Sequence, residues 1–383
     1  MACILQHIPL GQRLRCCALV CQAWAAAAVA APAVVNWRPF FSTPPQLFEK
    51  LRDWLQKYGG AVVAFTATRR AYSWSDSCSL QLPVAKLKQL RRLDLENLKV
   101  QLTRGSKSRR GASLTETSPV LTQLQELSLR MCPLSVQLAS HLLGATALTK
   151  LHWEHVMPFN DNTGPVIAHT GWNTQRARQG LSVMWHQLQL LQQLPKLSEL
   201  KLAGYLPTAA GIAVLGKLQH LQHFSLRLQD YSEDHEPCAR ALLAALQHLT
   251  QLQHLELHVC GLCTGQPQAS MFSALTASTQ LTTLSVTDGV LAPVPQAAFG
   301  HMFPSGHVLP KLKVLCIGSR FIAGYRPHCV EAAQVARIAA SCPALQQLTL
   351  QEVTPEGFDV SCLQQLPPCV KRVRGLAWIR PAP

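Results

Sequence analysis

A nine-residue spacing, L-x-x-L-x-x-L-x-L, recurs along most of the chain and limits its possible folds more than any other feature. Copies begin at Leu87, Leu121, Leu194, Leu249, Leu309 and Cys342, and copies with substitutions include Leu148 to Trp153, Leu218 to Leu226 and Leu281 to Val286. Counted from the third apolar position, neighbouring copies lie 24 to 34 residues apart, except for one interval of 49. Such regularity indicates one repeated structural unit.

The chemistry of the spacing predicts what that unit is. The closing L-x-L alternates with period two, so it forms a short strand with both leucines on one face. One such coil cannot shield its own apolar face, and stacked neighbours close the core together. The intervals leave room for return helices, which we predict at Gly180 to Leu194, Glu236 to Leu246 and Val330 to Ser341.

These copies resemble the leucine-rich repeat family of the helix-containing type, over roughly residues 60 to 375. The resemblance implies an α/β solenoid, a horseshoe or arc with parallel strands on its concave face and helices on its convex face. Where that family often has asparagine after the strand, this chain has Cys132 and Cys260. Weaker copies flank the array at Val62, Phe65 and Ala67, and at Val370 and Val373.

The domain boundaries follow from the repeat limits. We expect a helical segment at 1–40, a connecting helix or linker at 41–60, the repeat array at 61–376 and a tail at 377–383. A basic loop is expected at 103–118. Residues 157–193, which account for the long interval, are either an insertion or a degenerate repeat.

The first forty residues carry a second resemblance. Apolar residues at helical spacing predict an amphipathic helix from Gln12 to Ala28. The run from Ile4 to Trp24 is similar to the later part of an F-box, whose apolar residues dock onto a Skp-type adaptor of cullin-RING ubiquitin ligases. The matching residues expected to bind the adaptor are Leu5, Pro9, Leu14, Leu19, Val20 and Trp24.

The F-box match is incomplete. The family's Leu-Pro pair and preceding helix would lie ahead of Met1, and Gln22 stands where a basic residue is usual. Either the first part of the motif is missing from this sequence or adaptor binding has been lost. A helix that only caps the first repeat is the alternative reading.

The net charge of +15 is concentrated outside the predicted strand surface. Lys86 to Arg110 contains nine basic and two acidic residues, and the two ends of the chain add most of the remainder. The outward strand positions up to residue 258 are nearly neutral, and those past residue 280 are uncharged. Because phosphate neutralisation supplies most nucleic-acid affinity, we expect no nucleic-acid binding.

We expect the outward strand positions to contact a protein partner. The candidate residues are Asp94, Arg130, His152, Lys201, Arg227, Glu256 and His258. Four histidines occupy outward strand positions, at 152, 223, 254 and 258. They would make binding sensitive to pH near neutrality, unless they are ordinary surface residues.

The sequence offers no catalytic or metal-binding motif. There is no Gly-rich phosphate loop after a strand, no H-E-x-x-H and no G-x-S-x-G. His254, His258, Cys260 and Cys263 lie within ten residues, but a single C-x-x-C is weak, and Cys260 is expected to be a buried structural residue. We therefore expect no enzyme activity, no metal and no cofactor.

The N-terminus shows no secretory signal, so the 14 cysteines are expected to be reduced and mostly buried. The uncharged stretch from Cys16 to Trp37 contains nine alanines and Pro32, which disfavour a membrane span. We expect a cytoplasmic or nuclear protein without membrane contact. An organelle transit peptide remains an alternative, because residues 1–48 contain no Asp or Glu.

Together these features predict a non-catalytic protein-binding solenoid that acts as the substrate-recognition subunit of a cullin-RING, SCF-type ubiquitin ligase. A stand-alone leucine-rich repeat interaction scaffold without a ubiquitin role is the alternative. Some helix-containing arrays regulate small GTPases, but no finger arginine can be identified in this sequence.

Overall fold

A computed structural model describes the chain in segments: residues 33–38, 45–69, 79–103, 121–132, 145–154, 159–160, 164–165, 188–204, 209–228, 235–259, 268–288, 294, 296–319, 332–350, 364, 366–370 and 372–374. The chain divides into two units, residues 1–197 and 198–383. We call them unit 1 and unit 2 and describe each by itself.

Unit 1 contains a parallel sheet in the order β1, β2, β4, β6, β7. Its elements are β1 (Ala33–Trp37), α1 (Pro45–Tyr58), β2 (Val62–Thr68), β3 (Ser79–Pro83), β4 (Arg92–Glu96), β5 (Lys99–Thr103), β6 (Glu126–Arg130), β7 (Lys150–Glu154), β8 (Phe159–Asn160) and β9 (Gly164–Pro165). Strands β3 and β5 form a separate parallel pair, and β8 and β9 a short antiparallel one. A 3-10 helix spans Leu188–Gln193.

The described residues of unit 2 contain seven parallel strands that pair in chain order. Its elements are β10 (Glu199–Gly204), α2 (Ala209–Ala213), β11 (His223–Leu228), α3 (His235–Leu246), β12 (His254–Val259), β13 (Thr283–Asp288), α4 (Gln296–Met302), β14 (Val314–Ser319), α5 (Ala332–Ser341), β15 (Gln347–Leu350) and β16 (Arg372–Arg374). Two further 3-10 helices span Val214–Lys217 and Ala269–Thr276. Each strand is thus followed by a return segment that brings the chain back to the same end of the sheet.

The leucines of the repeat form continuous ladders within each unit. In unit 1, Leu93 pairs in register with Leu127, which pairs with Leu151. In unit 2 the equivalent ladder is Leu200, Phe224, Leu255, Leu284, Leu315 and Leu348. Every one of these side chains is at most 2% exposed. Burial of each side chain stabilises the fold by roughly 1.5–3 kcal/mol, so the ladders are the main source of stability.

Backbone hydrogen bonds in the turn before each strand fix the same register. The carbonyl of Ser198 accepts the N–H groups of both Gln222 and His223, each at 2.9 Å. The carbonyl of Gln222 accepts the next two in the same way, from Gln253 and His254. Because these bonds involve only the backbone, the side chains between the leucines are free to differ from repeat to repeat.

The fold class predicted from the sequence is confirmed: each unit is built from leucine-rich repeats around a parallel sheet. Helix α3 matches the predicted Glu236 to Leu246, and α5 matches the described part of Val330 to Ser341. The weak copies at both ends of the array are strands β2 and β16. In the predicted helix from Gly180 to Leu194, the described part is a 3-10 helix.

Strand β1 was not predicted. It lies inside the segment 1–40, for which helices were expected, and pairs with β2. Its sequence, AVVNW, is rich in valine but carries none of the leucine spacing. The predicted helix from Gln12 to Ala28, the basic loop except Thr103, and most of 157–193 lie outside the described residues.

Candidate binding face

The residues between the ladder leucines lie on the opposite face of each sheet, which we call the outward strand face. Parallel pairing aligns them in rows across neighbouring strands, where adjacent side chains are about 5 Å apart. One row of unit 1 is Arg92, Glu126 and Lys150, and another is Glu96, Arg130 and Glu154. The repeat therefore brings residues from distant parts of the chain into direct contact.

In unit 1, opposite charges alternate along these rows and pair. Glu126 lies 2.9 Å from Lys150 and 3.7 Å from Arg92. Arg130 lies 3.1 Å from Glu96 and 3.7 Å from Asp94, and His152 lies 3.5 Å from Glu154. Exposed pairs of this kind stabilise a fold by at most about 1 kcal/mol each. Their main effect is that the carboxylates of this face compensate the charge of its cations.

The ends of these strands form a polar edge that the sequence did not predict. Asn97 and Met131 adopt positive φ angles of 57° and 54°. Asn97 donates its side-chain amide to the carbonyl of Arg69 at 3.1 Å, and its N–H to the carbonyl of Arg130 at 2.9 Å. Asparagine tolerates this left-handed conformation better than most residues. The edge is therefore held by specific hydrogen bonds.

Cys132 lies buried beside this polar edge. The residue is 2% exposed, and its thiol donates a hydrogen bond to the carbonyl of Arg130 at 3.4 Å. Burial raises the pKa of the Cys132 thiol to about 12, and the carboxylates of Glu96 and Asp94 add to the increase. The thiol is therefore protonated at neutral pH, and its role is packing at the turn that follows β6.

The outward face of unit 2 begins with a group of basic and titratable residues on β10, β11 and β12. Lys201 pairs with Glu199 at 2.9 Å, and Ser225 donates to Glu256 at 3.1 Å. The rings of His223 and His254 are neighbours, with centroids 6.1 Å apart. Arg227 is exposed. Unlike the three cations at outward positions of β4, β6 and β7, it has no carboxylate within ion-pair distance among the described residues.

Two of these histidines have distinct environments. Burial lowers the pKa of His254, and the neighbouring His223 and Lys201 lower it further, against the opposing effects of Glu256 and Glu199. His258 lies in register with Arg227, and its Nδ1 is 2.8 Å from the hydroxyl of Thr287. Protonation of this group of side chains would add positive charge to a face that already includes Arg227.

The uncharged outward positions expected past residue 280 lie on β13, β14 and β15. Ser285 on β13 is in register with Cys316 on β14, and Cys316 with Thr349 on β15. Strand β16 follows, with Arg372 in register with Gln347 and Arg374 in register with Thr349.

The structure places all seven predicted contact residues at outward positions of strands. They lie on β4 (Asp94), β6 (Arg130), β7 (His152), β10 (Lys201), β11 (Arg227) and β12 (Glu256, His258). It brings Asp94 next to Arg130, and Arg227 next to His258. Their contact with a partner stays a prediction. The six predicted adaptor-binding residues lie outside the described residues.

A polar recess of about 530 Å³ lies beside the turns that precede β11 and β12. It is lined by Gln219, His220, Gln222, Gln247, His248, Thr250 and Gln251. The lining is made of glutamine, histidine and threonine side chains, without a carboxylate, thiol or lysine. We assign no chemistry to it.

Two further findings concern metal ions and the membrane in the part of the chain that the structure describes. There, no group of three or more His, Cys, Asp or Glu side chains could hold a metal ion. Cys260 and Cys263, weighed above as zinc ligands with His254 and His258, are not among the described residues. No described helix has the length and apolar character needed to cross a bilayer.

Similarity to known proteins is found among solved structures. The sequence matches no protein-family model and no curated protein. Among solved structures, the chain is similar to an internalin from Listeria monocytogenes, with 14% sequence identity and a TM-score of 0.42. The similarity covers 87% of this chain and 85% of the internalin.

Proposed function

We propose that this chain is a non-catalytic protein-binding solenoid whose outward strand face contacts the partner. The observation that carries the proposal is the arrangement of that face. Consecutive strands present aligned rows of polar side chains at fixed spacing, held by leucine ladders that are almost fully buried. A rigid surface of this kind loses little conformational entropy when a partner binds.

The chemistry of the described side chains supports binding rather than catalysis. Burial raises the pKa of Cys342 to about 12, as it does for Cys132, so neither thiol is a nucleophile at neutral pH. Burial also raises the pKa of Cys316, the cysteine at an outward strand position. On this proposal, any reaction of the captured protein belongs to other subunits.

Charge reversal tests this proposal. We expect R130E and K201E to reduce capture of partners in a quantitative affinity purification, because both side chains lie at outward strand positions. Since R130E also disturbs the pairs with Asp94 and Glu96, R227E provides a variant without a paired carboxylate among the described residues. R109E and R110E, in the predicted basic loop, are the matched controls.

The informative result is the set of proteins lost with R227E and K201E but retained with the controls. Thermal unfolding of each variant checks that the fold persists. If loop and strand variants lose the same proteins to the same extent, the outward strand face is not the binding surface and the proposal is wrong.

A finer proposal concerns the ubiquitin system and is supported only by the sequence from Ile4 to Trp24. We propose that residues 1–40 attach the solenoid to a Skp-type adaptor, so that a captured protein is held near a charged conjugating enzyme. Tethering of this kind acts by raising the effective concentration of substrate lysines. It requires no chemistry from this chain.

A pull-down with purified Skp-type adaptor and the full chain tests the finer proposal. We expect recovery of the adaptor and its loss with Trp24→Ala. Absence of recovery, or recovery that Trp24→Ala leaves unchanged, would favour the stand-alone interaction scaffold. The result leaves the binding role of the strand face untouched.

A further inference from the structure

The two units differ in the numbers of cations and carboxylates at the outward positions of their strands. The outward positions of β4, β6 and β7 in unit 1 carry three lysines or arginines and four carboxylates, and each of the three cations lies within 4 Å of a carboxylate. On β10, β11 and β12 in unit 2 the aligned positions carry two cations and two carboxylates. These are Lys201 and Arg227 against Glu199 and Glu256. Carboxylates therefore outnumber cations on these strands of unit 1, whereas the two balance on β10 to β12.

Histidines increase this difference. Three of the four outward histidines, His223, His254 and His258, lie on the adjacent strands β11 and β12. His223 and Arg227 are four residues apart on one strand, a distance of about 13 Å. Together with Lys201 on β10, they enclose a patch that about four residues of an extended peptide would cover.

Within the described sheet, the charged and titratable side chains that neighbour His223 and His254 lie on β10, β11 and β12. On β10 they are Glu199 and Lys201, on β11 Arg227, and on β12 Glu256 and His258. Strand β13 contributes only the uncharged Thr283, Ser285 and Thr287 at outward positions. With neutral histidines the charges of β10 to β12 cancel, and with three protonated histidines they sum to a clear positive excess.

We infer that the outward face of β10 to β12 docks an acidic, aspartate- or glutamate-rich segment of a protein partner, with Arg227 and Lys201 as permanent cations and the His223–His254 pair as proton-dependent ones. This inference rests on the proposed function and specifies the chemistry of the partner. A carboxylate placed between the two rings relieves the repulsion that opposes their joint protonation. Binding therefore takes up protons and strengthens as the pH falls.

Fluorescence anisotropy with a labelled peptide of five Asp-Ser repeats tests the inference on the full chain. We expect binding to tighten about tenfold between pH 7.5 and 5.5, the range in which imidazole groups in general gain a proton while aspartate stays ionised. The variant H223Q/H254Q should lose most of this pH dependence. R227Q should weaken binding severalfold at both pH values.

The matched control is H220Q/H248Q. These two histidines are exposed and belong to the same repeats, but they lie in the turns before β11 and β12. This variant should bind like the unmodified chain. R240Q, on α3, is the corresponding control for R227Q. Circular dichroism and thermal unfolding confirm that every variant keeps its fold.

Three results would overturn the inference. They are equal binding of a peptide of five Asn-Ser repeats, equal loss of pH dependence in H220Q/H248Q, and tighter binding of a six-nucleotide oligothymidine, which carries the same number of charges. If the peptide is ignored while R227E still loses partners in the affinity purification, the proposed function stands and only the acidic chemistry is wrong. If both fail, the face has no binding role.

Discussion

Leu255 illustrates what one residue of the ladder contributes. It is 1% exposed and lies in register between Phe224 and Leu284. We predict that Leu255→Ala lowers the free energy of unfolding by about 2–5 kcal/mol, because the lost methyl groups leave a cavity that neighbouring coils cannot fill. Urea denaturation measures the change. The exposed Gln251→Ala should alter it by less than about 0.5 kcal/mol, and a similar loss in both variants would contradict the ladder.

His254 makes a second prediction at the scale of one residue. Its pKa is lowered from the usual 6.5, first by burial and then by nearby positive charge. The unfolded chain therefore binds this proton more tightly than the folded one, and stability falls as the pH drops through that value. We expect His254→Gln to flatten the dependence of unfolding free energy on pH in this range, and His220→Gln to leave it unchanged. An unaltered slope in His254→Gln would be the contrary result.

In unit 2, the 3-10 helix Val214–Lys217 approaches the backbone of α3 closely at Gly216. A Cβ atom at Gly216, in the 3-10 helix after α2, would lie 3.2 Å from Cα and 3.4 Å from the carbonyl oxygen of Ala245 in α3. Backbone atoms cannot rotate away as a side chain can. We predict that Gly216→Ala destabilises the fold by about 1–3 kcal/mol, measured by thermal unfolding.

Gly60 provides the matched control for this element contact. It also lies in a 3-10 helix, but a Cβ atom there has no neighbour within 4 Å. Gly60→Ala should therefore be neutral or stabilise by about 0.4–1 kcal/mol through the unfolded chain. Equal destabilisation by both substitutions would mean that the contact with α3 does not decide the outcome.

At the scale of the whole molecule, a repeat array predicts graded stability within each unit, because each coil interacts mainly with its neighbours. Strand β12 pairs with β11 and β13, whereas the three-residue β16 pairs with β15 alone among the described strands. We expect the amides of Leu255 and Leu257 to exchange with solvent much more slowly than that of Val373. Hydrogen exchange read by mass spectrometry measures this order, and uniform protection would argue for a single cooperative unit.

Much of this architecture was predictable from the sequence. The spacing of Leu93 and Leu95, or of Leu255 and Leu257, predicts a strand, because alternation with period two can be recognised from residues that are adjacent in the sequence. Burial of these leucines follows from the same pattern, and so does the helix His235–Leu246 with its 3.6-residue spacing. Strand β1 has no such spacing, so its pairing with β2 could not be read from its own five residues.

The sequence by itself determined which side chains form the core and which ones face outward, because both are decided by local periodicity and hydrophobic burial. Only the tertiary structure decided which outward charges meet. Arg130 comes within 3.1 Å of Glu96, and the rings of His223 and His254 become neighbours, although each pair is separated by about thirty residues of chain. Parallel register aligns strands that are separated by return segments of unequal length. The leucine pattern is the same whatever that length is, so the pattern does not determine which outward charges become neighbours.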